Sequence, residues 1–263
     1  MAAVAQRLGQ LGWLFAGFGW RGFLGWSAWL AGLAPINICS RKRESAVLKR
    51  IVLWRHGQTD ANKNFRIQGA IDVPLNAVGV CQAQEAAQEL AQLAPTRLYC
   101  SDLSRSQQSA QALADLTGLT PVVDARLQER NYGMWEGRRS EEIRREWPDQ
   151  WATWSAGHEP GLDIETRLAC GERMVACIEQ AVADAKRSES EETVVFASHG
   201  GAITCAVSVL LGLNPSEWQG LRVVDNCHWA LLIPRPGGTP QWRVVAYNRW
   251  AARTKAVEDL TIG

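Results

Sequence analysis

The sequence predicts an α/β protein, a three-layer αβα arrangement around a mainly parallel sheet. Two features carry this expectation. Short apolar runs with β-branched residues alternate with helical segments from about Val47 onward, the pattern of a sheet covered by helices on both faces. Two of those runs also end in His-Gly, at the carboxyl edge where such sheets bind ligands.

The elements follow in order. Residues 50–54 (RIVLW) read as a buried strand. Residues 77–93 read as a helix, with Val80, Ala83, Ala87, Leu90 and then Ala94 spaced along one face. Arg97–Cys100 is a second strand, Ser104–Thr117 a helix stopped by Gly118, and residues 121–123 a short strand. Arg167–Ala185 is a long helix, residues 193–197 (TVVFA) another buried strand, and residues 202–211 an apolar helix ended by Gly212 and Asn214-Pro215. Residues 228–233 and 241–246 are strands joined by a stretch rich in Pro and Gly.

Residues 1–46 are of a different kind from the domain at 47–263. Between Met1 and Ser40 the only charged side chains are Arg7 and Arg21, and residues 22–40 are followed by Arg41, Lys42 and Arg43. The composition fits a dispensable stretch, or a membrane-associated segment at residues 22–40 with tryptophan and basic anchors. A signal peptide is the third reading, against which Arg21 and the lack of a clear cleavage site both stand. Seven glycines and Pro35 weaken any stable helix there. A spanning segment puts the basic side, and the domain behind it, in the cytoplasm.

With 28 Lys+Arg against 27 Asp+Glu and no basic stripe, no nucleic-acid partner is expected. The seven cysteines are odd in number and form no C-x-x-C pair, which argues against a disulfide framework or a zinc site. Most lie in apolar stretches and read as small core residues, with Cys170 and Cys177 on one helix face. A reducing, cytoplasmic location follows.

The chemistry gathers at the two His-Gly turns. The first strand ends in Arg55-His56-Gly57-Gln58-Thr59 and the later one in Ser198-His199-Gly200-Gly201. Glycine after each histidine lets backbone come close to a ligand. A lone histidine after a strand is more often structural, but two at matching strand ends point to a site.

Arg55-His56-Gly57 with Thr59 and Asn62 resembles the signature of the histidine phosphatase superfamily, which includes the cofactor-dependent phosphoglycerate mutases. Four more elements match in order. They are Gln68-Gly69 with Asp72, Pro74-Leu75-Asn76 and Gly79; Ser101-Asp102-Leu103-Ser104-Arg105; Leu127-Gln128-Glu129 with Gly133-Met134-Trp135-Glu136-Gly137; and Ser198-His199-Gly200. The likeness covers roughly residues 47–246 and implies a phosphoglycerate mutase-like fold acting on a small-molecule phosphate ester. His56 is implied as the nucleophile, Glu129 as proton donor and then base, and Arg55, Arg105, His199 and Asn62 as phosphate ligands. Gly57, Gln68, Gly69 and Gly200 complete the implied substrate contacts. No metal or cofactor is implied, and homodimers are common in the family. The residue types suit a phosphate dianion, since arginines offer forked, permanent charge and disfavour imidazolium on a histidine that must attack neutral.

Bland readings stand beside these. Arg105 alone could be an ordinary helix-start arginine; Glu136, Glu141 and Glu142 rival Glu129 as the acid, with Glu136 read as structural. His158 lies in a polar loop and His228 at a strand start, both read as structural. Trp147, Trp151 and Trp154 form either a cap wall or ordinary packing, and Asn226 is a candidate supporting group. Within the family the resemblance leans to phosphatases that include glucosyl-3-phosphoglycerate phosphatases. Residues 137–161 are short where the mutases carry a longer insertion, and Ser-His-Gly-Gly replaces their Asn after His-Gly. Glu129-Arg130-Asn131-Tyr132-Gly133 nevertheless resembles a mutase run, so a mutase is one alternative. A non-catalytic binding protein is the other, although such relatives usually lack a nucleophile or an arginine that is present here. The substrate should be set by residues 138–162 and 61–72.

A chain beginning at Val47 should fold with an unchanged melting temperature and keep full turnover, read by thermal denaturation and phosphate release. Loss of folding would show that the first 46 residues belong to the domain.

Overall fold

The computed structural model describes residues 48–185 and 190–251. The readings made for residues 1–46 lie outside them, and among the described residues no helix is long and apolar enough to cross a membrane.

Strand β1 (Leu48–Arg55) shows why a sheet forms. Ile51 and Leu53 face one side, Val52 and Trp54 the other, and all four have no exposure. A strand this apolar on both faces must lie inside a sheet with helices on both sides. Its parallel neighbour β4 (Glu192–Ser198) alternates the same way, with Val194 and Phe196 opposite Val195 and Ala197. Strands β2 (Arg97–Cys100) and β3 (Val122–Val123) extend the parallel part beyond β4. On the far side β5 (Trp229–Pro234) and β6 (Trp242–Arg249) run antiparallel, because a short Pro- and Gly-rich connection can only return the chain as a hairpin. The order is β3-β2-β4-β1-β5-β6, a mixed sheet that is parallel through four strands.

Between β1 and β2 come a short helix α1 (Asp60–Lys63) and α2 (Ala77–Ala91); α3 (Ser104–Thr117) follows β2. Helices α2 and α3 cover the Val52 and Trp54 face. Helices α4 (Ser140–Glu146) and α5 (Pro148–Ser155) lead to α6 (Arg167–Ala185), and α7 (Gly200–Leu210) follows β4. Helices α6 and α7 cover the Ile51 and Leu53 face. The three-layer reading is thus met. The buried face of α2 is Gly79, Ala83, Ala86, Ala87 and Leu90. Val80 is exposed and Ala94 lies past the helix end in the left-handed region, so the predicted face is corrected at both positions. Apolar spacing alone could not show that glycine, not valine, meets the sheet there.

The caps are local. Asn76 accepts from the Gly79 N–H to start α2, and Gly118 ends α3 in the left-handed conformation. The start of α3 is capped from a distance, since Asp72 accepts from both the backbone N–H and the hydroxyl of Ser104. Helices α4 and α5 were not predicted. They carry a small separate core of Trp135, Ile143 and Ile164, with Trp147, Trp151 and Trp154 packed around it. Packing is therefore the main role of those tryptophans. The cysteines follow the core reading: among the described residues five are buried and Cys81 is exposed, all as free thiols. Burial pushes Cys100 up to about 11 and Cys177 up to about 12.

The turn after β1 is held by glycine against glycine. A Cβ on Gly57 would sit 2.3 Å from the Gly79 carbonyl oxygen, and one on Gly79 would sit 2.0 Å from that of Gln58. Backbone cannot yield cheaply at such distances, so Gly79→Ala should cost about 1–3 kcal/mol. Denaturant unfolding should show the loss, with turnover falling because the His56 turn shifts.

Candidate active site

Strands β1 and β4 pair in parallel with Arg55 opposite Ser198. The next residue of each is a histidine, so this register alone brings His56 and His199 together. Their ring centroids are 5.0 Å apart in an edge-on arrangement. The His56 N–H donates to the Ser198 carbonyl at 3.0 Å and locks the turn.

Each ring has one defined tautomer. His56 Nδ1 lies 2.7 Å from the Gly57 carbonyl oxygen, which can only accept, so Nδ1 carries the proton and Nε2 keeps its lone pair. His199 Nδ1 accepts from Arg105 Nε at 3.2 Å, which leaves its proton on Nε2. Burial first, then the positive charges of Arg105 and Arg55, hold His56 well below the ordinary imidazole range, and the bond to Gly57 opposes them. His199 is lowered by burial, Arg105, His56, Arg55 and Arg173, in that order. Both imidazoles are therefore neutral at pH 7.

Arg105 is fully buried at the start of α3. Besides His199 it donates to the carbonyls of Gly69 and Ile71 at 2.8 and 2.7 Å, which ties the residue 61–72 loop to the site. Arg55 donates to the Val224 carbonyl at 2.6 Å. Two buried nitrogens, Arg55 Nε and His199 Nε2, have no hydrogen-bond partner among the described residues. A buried donor left unpaired costs stability, and such groups are where an anionic ligand would be received. The Glu129 carboxylate lies at the N-terminus of α7, accepting from the N–H groups of Gly201 and Ala202 at 3.1 and 2.9 Å and of Arg130 at 2.8 Å. Arg173 fixes the chain carrying it, donating to the carbonyls of Arg126, Gln128 and Glu129.

These groups surround a cavity of 190 Å³ lined by Arg55, His56, Asn62, Gln68, Gly69, Arg105 and Glu129 among others. His199 stands behind it against His56. Gly57 and Gly200 do not line it. The space a Gly200 side chain would need is taken by Val223 and the Arg55 guanidinium, and that of a Gly57 side chain by the Gly79 backbone, so packing requires glycine at both positions. Asn62 caps α1 with Thr59 and accepts from Asn226, which also donates to the His56 carbonyl, giving Asn226 the supporting place the sequence suggested. Glu136 accepts from the N–H groups of Ala70 and Tyr132 and braces the loop, and Glu142 caps α4, so neither faces the cavity. His158 is exposed; His228 is buried with Nδ1 on the Asn226 carbonyl. The cavity is also walled by Arg66 and Ile67, inside the stretch 61–72 expected to set the substrate, and by Tyr132, Gly201 and Val223, which were not predicted as site, with Trp154 as part of a cap wall. Tyr132 and Gly201 fall inside quoted motifs and were findable; Val223 carries no local signal. Among the described residues no three His, Cys, Asp or Glu side chains are grouped as a metal site.

A sheet edge that pairs two neutral histidines between a buried and a partly buried arginine and a carboxylate is the arrangement of a phosphoryl-handling enzyme. The family description that matches, over residues 51–249, is the histidine phosphatase superfamily (branch 1). A glucosyl-3-phosphoglycerate phosphatase of Mycolicibacterium vanbaalenii is 33% identical over 220 residues, covering 76% of this chain and 95% of the relative. A probable phosphoglycerate mutase of Yersinia enterocolitica is 37% identical over 181 residues, covering 68% and 81%. Among solved structures, mycobacterial glucosyl-3-phosphoglycerate phosphatase in complex with VO3 superposes with a TM-score of 0.70 at 31% identity, covering 76% of this chain and 99% of the other. The chain belongs to the histidine phosphatase superfamily and is a hydrolase acting on phosphate monoesters.

The lowered histidines fix a sign. Unfolded imidazoles titrate near pH 6.5, whereas the folded ones resist protonation until well below that. The unfolded chain therefore binds more protons as pH falls, and stability present above about pH 6.5 is lost on acidification. Unfolding titrations between about pH 8 and pH 5 should show this slope, and His56→Gln with His199→Gln should flatten it. An unchanged slope would mean that other groups set it.

Proposed function

We propose that this chain hydrolyses a small phosphorylated metabolite through a phosphohistidine on His56, with Glu129 moving the proton. The observation that carries the reading is the pairing of a free Nε2 lone pair on His56 with unpartnered donors on Arg55 and His199 in one buried site. His56 Nε2 attacks phosphorus as the ester P–O bond breaks, and protonated Glu129 gives its proton to the leaving oxygen. Water then attacks phosphorus, Glu129 takes the water proton, and the P–N bond breaks to return neutral His56 and free phosphate. Arg55, Arg105 and His199 hold the phosphoryl oxygens through both steps, with Asn62 adding a neutral donor. Burial, and after it the charges of Arg105 and Arg55, keeps His56 unprotonated and ready to attack. Gln68 and Gly69 shape the wall opposite α7.

Glucosyl-3-phosphoglycerate is the first substrate candidate, since relatives covering three quarters of the chain carry that activity in their names. The mutase reading has its own support in the Yersinia relative. A metal-free assay on 3-phosphoglycerate, glucosyl-3-phosphoglycerate and ribazole phosphate should release phosphate. His56→Ala should abolish release, and Glu129→Gln should slow it by about 10²–10⁴-fold. Full turnover by His56→Ala would end the phosphohistidine mechanism; interconversion of 2- and 3-phosphoglycerate without release would favour the mutase. Silence in both would favour a binding protein.

A further inference from the structure

Helix α7 begins with two glycines, Gly200 and Gly201, directly after His199. Neither needs the conformational freedom of glycine, since both lie in helical backbone and neither has a positive φ. Alanine forms helix more readily than glycine. The reason for glycine is therefore space. A Cβ on Gly200 would lie 3.2 Å from Arg55 Cζ. A Cβ on Gly201 would lie 2.7 Å from Glu129 Oε1 and 3.3 Å from the Tyr132 hydroxyl. One glycine makes room for the arginine, and the next makes room for the carboxylate.

Glu129 has little freedom to yield. Its Oε1 accepts from the N–H groups of Ala202 at 2.9 Å and Arg130 at 2.8 Å, and its Oε2 accepts from that of Gly201 at 3.1 Å. Its own carbonyl is held by Arg173 at 2.8 Å. Both ends of the side chain are thus fixed. A methyl group at residue 201 forces Oε1 to retreat by at least about 0.7 Å to reach ordinary contact, against the two amides that hold it, and a misplacement of about 1 Å costs about 10²-fold in rate.

We propose that Gly201 is a positioning residue, whose missing side chain keeps the Glu129 carboxylate seated on the first turn of α7, where it moves the proton. The inference rests on the reading of Glu129 as proton carrier and goes beyond it by naming a residue on which that role depends. A basic leaving oxygen takes the electron pair of the breaking P–O bond and needs a proton from Glu129 as it does so. The p-nitrophenolate ion is weakly basic and departs without one. Loss of the seat therefore slows alkyl esters and spares p-nitrophenyl phosphate. Phosphate binding, which falls to Arg55, Arg105 and His199, stays as it was.

The test compares the full-length protein with its Gly201→Ala variant under single-turnover conditions, with enzyme in excess, so that only ester cleavage is read. The alkyl ester is the one cleaved fastest among 3-phosphoglycerate, glucosyl-3-phosphoglycerate and ribazole phosphate. Its cleavage should fall at least about tenfold, and that of p-nitrophenyl phosphate less than about threefold. The inhibition constant of inorganic phosphate should stay within about twofold, and the melting temperature should not fall. Glu129→Asp withdraws the carboxylate by one methylene, so adding Gly201→Ala to that variant should cost less than about threefold further on the alkyl ester. Equal loss on both esters, equal loss in both backgrounds, or weakened inhibition by phosphate overturns the assignment. So does failure of both the single and the double variant to fold. If Glu129→Gln slows alkyl and p-nitrophenyl esters alike, the proton-carrier reading falls, and this inference with it. If Glu129→Gln discriminates between them and Gly201→Ala does not, that reading stands and only this inference falls. Cleavage of no ester by the unaltered protein brings down the phosphatase reading and everything that rests on it.

Discussion

The parallel pairing of β1 with β4 is the constraint on which the site depends. Arg55 stands opposite Ser198, and each strand releases a histidine at its very next residue. A slip by one residue would turn every side chain of β1 to the other face, putting Val52 and Trp54 where Ile51 and Leu53 belong. Because both faces are buried by different helices, such a slip would misplace two cores at once. The register is therefore enforced by packing far from the cavity, and the 5.0 Å separation of the imidazoles is inherited from it.

Around that pair the molecule concentrates unfavourable electrostatics. The buried Arg105, the partly buried Arg55 and two buried neutral histidines share a small volume, and some of their donors are unpaired. Arg105 is partly compensated by the carbonyls of Gly69 and Ile71, Arg55 by that of Val224. The remaining donors are a standing cost, of the kind that active sites retain because substrate repays it. Burial first, and then the charges of Arg105 and Arg55, keep His56 unprotonated.

The carboxylate is positioned by different means. Glu129 rests on the N-terminal amides of α7, and the segment that holds it is pinned by Arg173 from α6. The cap helices pack on their own small core around Trp135, and Glu136 ties that region back to the loop between α1 and α2. The cavity wall that includes Tyr132 and Trp154 thus belongs to a hydrophobic cluster separate from the two that flank the sheet.

The strand runs, most of the helices and the motifs that meet at the cavity were legible because their signals are local. Apolar runs define buried strands, and Arg-His-Gly, Ser-x-Leu-x-Arg and Ser-His-Gly are contiguous in the chain. Other features needed the folded molecule. The role of Gly57 is packing against Gly79, and no local pattern shows that contact. Val223 and Arg66 reach the cavity from loops whose path depends on the whole sheet. The cap helices are short and were missed, since one or two turns give too little periodicity to read. The order of strands and the meeting of Arg130 and Arg167 on Glu159 likewise arise from long-range closure. The sequence by itself determined which residues could do chemistry and which face each strand would bury, because those follow from side-chain type and a period of two or 3.6. Only the tertiary structure decided which donors were left unpaired and which side chains wall the cavity, because both depend on atoms brought together from distant parts of the chain.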